Sequence, residues 1–222
     1  MNTPNNNPIC VGAVLSRLHQ QRTTRERFKL PMTKAEAVEM LTASVKNEVE
    51  YRHRQFVMND SVKAQVETMA EWLTSDSTKF GLLLCGGCGN GKTTFVKAFQ
   101  QLLCCLNLRD EHHRCTYGIQ IKDAKQIVRM MKADYQTWEK LSQVDMLAID
   151  DLGIEPVEVM DFGNVLCPVV DLLTKRYDMQ LFTIITTNLT PSEIREKYGD
   201  RIADRMNEMM VKIIFNNDTY RK

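Results

Sequence analysis

The chain has 222 residues, 43% of them hydrophobic and 26% charged, with a formal net charge of +1. Such a composition is ordinary for a globular protein, and the near-neutral charge means that any nucleic-acid surface has to be local. No apolar run approaches the ~20 residues needed to span a bilayer, so a helical membrane protein is not expected.

Seven cysteines, an odd number, suit a reducing interior better than a disulfide framework. The first residues, MNTPNNNPICVGAVL, lack the basic stretch and long apolar core of a secretory leader. The expected location is the cytoplasm. The first nine residues are Asn- and Pro-rich and are expected to be disordered. Next comes RLHQQRTTRERFK (17–29), with five Lys or Arg against one Glu. It reads either as a solvated helix face or tail, or as a contact for nucleic acid or an acidic protein. Thr33 and Glu36 form a T-x-x-E capping box, and Val38, Leu41, Val45 and Val49 follow at helical spacing. This predicts an amphipathic helix over roughly 34–52, whose stripe could bury against its own core or against a partner. A second helix is expected from Asp60 or Ser61, with Val62, Val66, Met69, Trp72 and Leu73 on one side.

After TSDSTK the pattern changes. FGLLLCGG is a short apolar run ending in glycines, as expected for a strand buried on both faces. Helices are then expected over 92–106, in AKQIVRMMK, over most of 163–177, after Pro191 and near 200–209. Strands are expected over 116–121, 144–150, 181–188 and 211–215. Pro168 should kink the helix that contains it or make it begin late. Alternation of this kind predicts an α/β fold with a parallel sheet and helices on both faces. The chain divides into an N-terminal extension (1–58) and a core (59–222).

Two chemistries compete for CGGCGNGKTT (85–94). Cys85 and Cys88 make a C-x-x-C pair, the spacing of zinc sites and redox dithiols. Gly86 to Thr93 matches G-x-x-x-x-G-K-[ST], the loop that wraps phosphates. The flanks favour the second: GLLLC supplies the buried strand that aims such a loop, and TTFVKAFQQLL supplies the helix whose unpaired N–H groups face the anion. The nucleotide-binding set is Gly86, Gly87, Cys88, Gly89, Asn90, Gly91, Lys92, Thr93 and Thr94. Lys92 reaches the β- and γ-phosphates and the Thr93 hydroxyl meets Mg²⁺. A metal or disulfide at Cys88 would exclude the nucleotide, and Cys85 reads as a small buried hydrophobe. A second cluster, Cys104, Cys105, His112, His113 and Cys115, matches no common zinc spacing and reads as a polar connection.

Three further segments carry polar groups at strand or helix ends. VDMLAIDDLG ends a strand in Asp150 and Asp151, and two buried-strand carboxylates are costly without a cation or a task. Asp150 fits a Mg²⁺ holder, and Asp151 is placed to orient or deprotonate water. IITTN ends a strand in Asn188, which can position water or simply cap a turn. In YGDRIADRM, Arg201 and Arg205 share one helix face. They read equally as ion pairs with Asp200 or Asp204, or as an arginine supplied to a neighbour's phosphates. Lys122, Lys125, Arg129, Lys132, Arg176 and the basic residues of the first thirty are candidate DNA contacts.

GGCGNGKT, LAIDDLG, IITTN, YGDRIADRM and the closing FNNDTYR, in this order, resemble the DnaC/IstB-like AAA+ ATPases, and most of all the DnaC-type helicase loaders. The resemblance covers about residues 60–222. It implies a three-layer P-loop core with sheet order 5-1-4-3-2 and no full C-terminal helical lid. By motif, Lys92 and Thr93 are Walker A, Asp150 and Asp151 Walker B, Asn188 sensor 1, and Arg201 the arginine finger, with Arg205 the second arginine of that box. It also implies ATP and Mg²⁺ as cofactors, and self-association through the ATP site. A replicative helicase held by the N-terminal region and single-stranded DNA are the implied partners. Asp151 departs from the Glu of many relatives, which implies slow hydrolysis. Three alternatives stay open: an IstB-type helper of a transposase, a small-molecule kinase, and a module that binds ATP without hydrolysing it. The acidic, short GIEPVEVMDFGN offers neither the arginine-rich lid nor the acceptor pocket of a kinase.

Overall fold

The computed structural model describes residues 10–21, 26–109, 116–161 and 163–217. Three helices come first: α1 (Val11–Gln21), α2 (Lys34–Tyr51) and α3 (Asp60–Thr74). The alternating part follows with β1 (Gly81–Gly86), α4 (Lys92–Leu106), β2 (Gln120–Asp123), α5 (Ala124–Ala133), α6 (Tyr135–Gln143) and β3 (Met146–Leu152). It continues through β4 (Val159–Asp161), β5 (Asn164–Leu166), α7 (Pro168–Asp178), β6 (Phe182–Thr187), α8 (Pro191–Tyr198), α9 (Asp200–Met209) and β7 (Met210–Phe215).

The main sheet runs β2-β3-β6-β1-β7 with every pair parallel. Numbering only its five strands in chain order gives 5-1-4-3-2, the expected arrangement. Side chains alternate across each strand, and that period divides the core in two. Leu82 and Leu84 enter one apolar cluster with α2, α3 and α4, whereas Leu83 and Cys85 enter the other with α5 to α9. Both faces of β1 are therefore buried, which is why it reads as a continuous apolar run.

The capping box of α2 is formed: the Thr33 hydroxyl accepts from the Glu36 N–H, and the Glu36 carboxylate accepts from the Thr33 N–H at 2.8 Å. The stripe on α2 buries against the chain's own core through Ala37, Leu41 and Val45. Leu30 joins the same cluster, so the segment ahead of α2 is strapped to the sheet as well. On α1, in contrast, Val11, Val14, Leu15 and Leu18 are all exposed. The expectation for the first nine residues falls outside the described residues.

Local departures have identifiable causes. β2 is shorter and later than expected, because only Gln120 to Asp123 lie opposite β3. Upstream, the Tyr117 N–H donates to the Leu108 carbonyl at 2.8 Å, and the Tyr117 ring sits 4.8 Å from that of Phe28. The helix expected from 163 begins only at Pro168, which occupies its first turn, where a missing N–H is harmless. The residues ahead of it form the β4–β5 hairpin instead, with Gly163 at φ +85° in the turn. Arg176 is not a DNA contact, because it is fully buried. Its guanidinium donates to the Thr183 hydroxyl (2.9 Å) and to the carbonyls of Val144 (2.9 Å) and Phe182 (2.6 Å), stapling α7 to the sheet. Among the described residues no helix is long and apolar enough to cross a membrane.

Candidate functional site

β1 ends at Gly86 and α4 begins at Lys92, so the loop between them opens on the N-terminus of a fifteen-residue helix. Gly91, the N-cap, has φ +100° and no side-chain cap bond, which leaves the first N–H groups of α4 free to face an anion. Gly86 is fixed by space: a Cβ there would lie 2.1 Å from the Phe215 carbonyl oxygen. The buried Asn90 donates to that same carbonyl, and its own carbonyl accepts from Asn217 at 3.1 Å. The loop is thus tied to the end of β7.

Lys92 is folded back onto the loop. Its ammonium donates to the carbonyls of Gly86 (2.7 Å) and Gly87 (2.6 Å) and to the side-chain oxygens of Asn90 (3.1 Å) and Asn188 (2.8 Å). Burial pushes the ammonium below its ordinary value, while the Asp151 carboxylate pulls it back up. Next to it, the Thr93 hydroxyl donates to Asp150 at 2.9 Å. A hydroxyl and a carboxylate held this way are hard oxygen donors of the kind Mg²⁺ takes.

Lys92, Thr93 and Asn188 face a cavity of about 540 Å³. One wall is polar and carries Cys88, Gly89, Gly91, Lys92, Thr93, Thr94, Asp151 and Asn188. The rest is mostly apolar, with Val45, Val49, Phe56, Val57, Val62 and Phe95, and includes Arg52, Arg54, Gln55 and Gln65. A charged end beside an apolar end suits a phosphorylated, ring-bearing ligand. The apolar wall was not foreseen from sequence. Apart from Phe95 on α4, its residues come from α2, the 52–57 connection and the start of α3, so the boundary expected at residue 58 runs through the cavity wall.

The dithiol reading of 85–88 has no support in the geometry. Cys85 is buried in β1, Cys88 is exposed on the loop, and both are free thiols. Burial pushes the Cys85 thiol up, which makes it unreactive. Cys104 and Cys105 are exposed, while His112, His113 and Cys115 lie outside the described residues. No metal-holding group of His, Cys, Asp and Glu occurs among the described residues.

The arginine box lies apart from the cavity. Arg195 pairs with both Asp200 and Asp204, the second at 2.7 Å, and so takes the two partners considered for Arg201. Arg201 is exposed and forms no ion pair with a described residue. Arg205 is engaged within the chain, 3.4 Å from Asp178 and stacked 4.8 Å over the Tyr177 ring. Lys125, Arg129 and Lys132 are exposed along one side of α5, and Lys122 is half-buried in β2.

A buried carboxylate ties the loop after Asp151 to this box. Glu155, 2% exposed, accepts from the Gly153 N–H at 2.9 Å and from the Tyr198 hydroxyl. Burial, and then Glu155 itself, push the Tyr198 phenol far above its ordinary value, so it remains a donor. Tyr198→Phe strips one donor from a buried carboxylate. It is expected to cost about 1–3 kcal/mol, read as a lower urea midpoint at unchanged slope.

A phosphate loop between β1 and α4 on a 5-1-4-3-2 parallel sheet, with Asp150 and Asn188 at neighbouring strand ends, defines a P-loop protein of the AAA+ type. The chain belongs to the family of IstB-like ATP-binding proteins, whose family model matches residues 8–222. No curated protein matches it. Among solved structures it is similar to the DnaC helicase loader, at 20% identity and TM-score 0.55 over 72% of this chain and 93% of that one. It is similar to DnaI at 20% identity and TM-score 0.58, over 87% and 96%. It is also similar to the replication initiator DnaA bound to AMPPCP and single-stranded DNA, at 16% identity and TM-score 0.52, over 73% and 49%. At these identities the likeness is one of fold.

Proposed function

We propose that the protein is an ATP-hydrolysing switch that helps place a replicative helicase on single-stranded DNA. The observation that carries this reading is the convergence of motifs far apart in sequence. Lys92 touches Asn188 at 2.8 Å, Thr93 touches Asp150 at 2.9 Å, and Asp151 lines the same cavity.

In this reading residues 86–94 wrap the phosphates, and Lys92 binds their oxygens. Thr93 and Asp150 hold Mg²⁺, which neutralises phosphate charge when bound. Asp151 orients or deprotonates the attacking water. Asn188, whose side-chain oxygen accepts from Lys92 at 2.8 Å, positions that water. Arg201, uncommitted to any described residue, is supplied to the site of a neighbouring subunit. Within the extension 1–58, the exposed apolar stripe of α1 grips the helicase, and 59–222 is the ATPase core. Lys125, Arg129 and Lys132 on α5 supply phosphate contacts to single-stranded DNA, with salt-sensitive affinity.

A second reading, a helper of a transposase, is supported by the family match over nearly the whole chain. The partner separates the two. Full-length protein is expected to retain the host's replicative helicase, and Leu15→Ser with Leu18→Ser is expected to release it. ATP turnover above a Lys92→Ala background is expected to rise with single-stranded DNA. Capture of a transposase instead selects the second reading, and ATP binding without turnover leaves a non-hydrolysing module.

A further inference from the structure

On a regular strand Asp150 and Asp151 would point to opposite faces of the sheet. The pairing of β3 with β6 is not regular at this point. Ile149 pairs with Ile185 and Leu152 with Thr187, so Asp150 and Asp151 together stand opposite the single residue Thr186. This is a β-bulge, with Asp151 turned to φ +53°, a left-handed conformation that few side-chain-bearing residues adopt. The turn brings Asp151 to the cavity wall while Asp150 keeps its bond to Thr93.

Thr186 is fully buried, and its one hydroxyl serves both aspartates, one through its carboxylate and the other through its backbone. It donates to Asp150 Oδ1 at 2.6 Å and accepts from the Asp151 backbone N–H at 2.8 Å. A hydroxyl has one donor hydrogen and two acceptor lone pairs, so the two bonds are compatible. Thr187 is equally buried, yet its hydroxyl donates to the Leu152 carbonyl (2.7 Å) and accepts from the Leu189 N–H (3.1 Å), meeting neither carboxylate. Adjacent threonines thus separate a hydroxyl that aims the acidic pair from one that closes backbone.

We propose that Thr186 is the positioning residue of this site: its hydroxyl directs the Asp150 carboxylate toward Thr93 and pins the bulge that turns Asp151 to the cavity. The proposal rests on the ATP-site reading above. Removing the hydroxyl lets the Asp150 carboxylate rotate away from Thr93 and the bulge relax, while the Asn90 and Lys92 bonds that shape the phosphate loop do not involve it. The loss should therefore fall on the benefit that Mg²⁺ brings to nucleotide binding and on turnover, not on metal-free nucleotide affinity.

The test uses the full chain as wild type, Thr186→Val, Thr186→Ser and Thr187→Val. Affinity for a fluorescent ATP analogue is measured with Mg²⁺ and with chelator, beside turnover, thermal melting and amide exchange at residue 151. Thr186→Val is expected to cut the Mg²⁺ enhancement and turnover about ten- to a hundredfold, as loss of a group that orients a metal ligand does, at unchanged chelator affinity. Thr186→Ser is expected to restore both. Thr187→Val calibrates the melting loss from one buried hydroxyl. A Thr186→Val protein with wild-type Mg²⁺ enhancement and turnover overturns the proposal, whatever its melting temperature. If that variant does not fold, the wild-type Asp151 amide decides: slow exchange is expected, and fast exchange in the nucleotide-free protein overturns the proposal. Wild-type protein that binds no ATP would instead remove the ATP-site reading, with the Asp151 amide still protected.

Discussion

Lys92→Ala is expected to abolish measurable ATP binding and to lower turnover by about 10²–10³ or more, the scale of losing one preorganised charged donor. The folded protein should survive the change. The ammonium sits among four oxygens of residues 86, 87, 90 and 188, but burial lowers its proton affinity, so the charge carries a desolvation cost there. Removing it relieves that cost and opens space for water at the Gly86 and Gly87 carbonyls. Thermal melting without nucleotide should therefore change little, whereas the stabilisation that ATP gives the wild type should vanish. Asn188 loses its 2.8 Å partner as well, which would show itself as faster exchange in the 188 region. The decisive measurement is equilibrium ATP binding. An alanine variant that binds as tightly as wild type would overturn the assignment of the phosphate loop.

The same residues show what a sequence discloses and what it withholds. The phosphate loop was legible because its geometry is local: eight residues between a buried strand and a helix fix their own backbone. The sheet order was implied by the family resemblance rather than read from the residues, and the alternation of Leu82 to Cys85 across two clusters explains why β1 reads as an unbroken apolar run. The pairing of Asp150 and Asp151 was legible as chemistry but not as geometry. Nothing local announces that both face one residue, because the bulge depends on a register set 35 residues away at Thr186. The apolar wall was hidden for a similar reason. Val45 and Val49 look like any helix stripe, and only the packing of α2 against α4 turns them toward the loop. Arg176 erred in the opposite direction: a lone arginine on a helix reads as surface, and its burial is visible only once β6 and the end of α6 close around it. α6 and the β4–β5 hairpin each had a signal in hand. Asp134 caps α6 through the Thr137 N–H, and Asp161 with Gly163 marks the hairpin turn.

Arg201→Ala is expected to keep ATP affinity and lose turnover by about 10³–10⁵, the contribution of an arginine supplied to transferring phosphates. The reason lies in how its neighbours are occupied. Arg195 holds Asp200 and Asp204, Arg205 holds Asp178 and covers Tyr177, and Arg201 is left exposed between them, outside the wall of its own subunit's cavity. An arginine that acts within its own subunit would line that cavity. One that acts on a neighbour has to be held clear of it, with the adjacent carboxylates already neutralised. Arg205→Ala, by the same reasoning, should lower melting temperature more than it lowers turnover per folded site. The distinguishing experiment mixes two inactive proteins. Arg201→Ala keeps its phosphate loop and lacks the arginine, while Lys92→Ala keeps the arginine and lacks the loop. At a mixed interface an intact loop meets an intact Arg201, so equimolar mixing is expected to recover turnover that neither variant has alone. Absence of recovery, with mixed assembly confirmed by crosslinking, would show that Arg201 does not act across the subunit boundary.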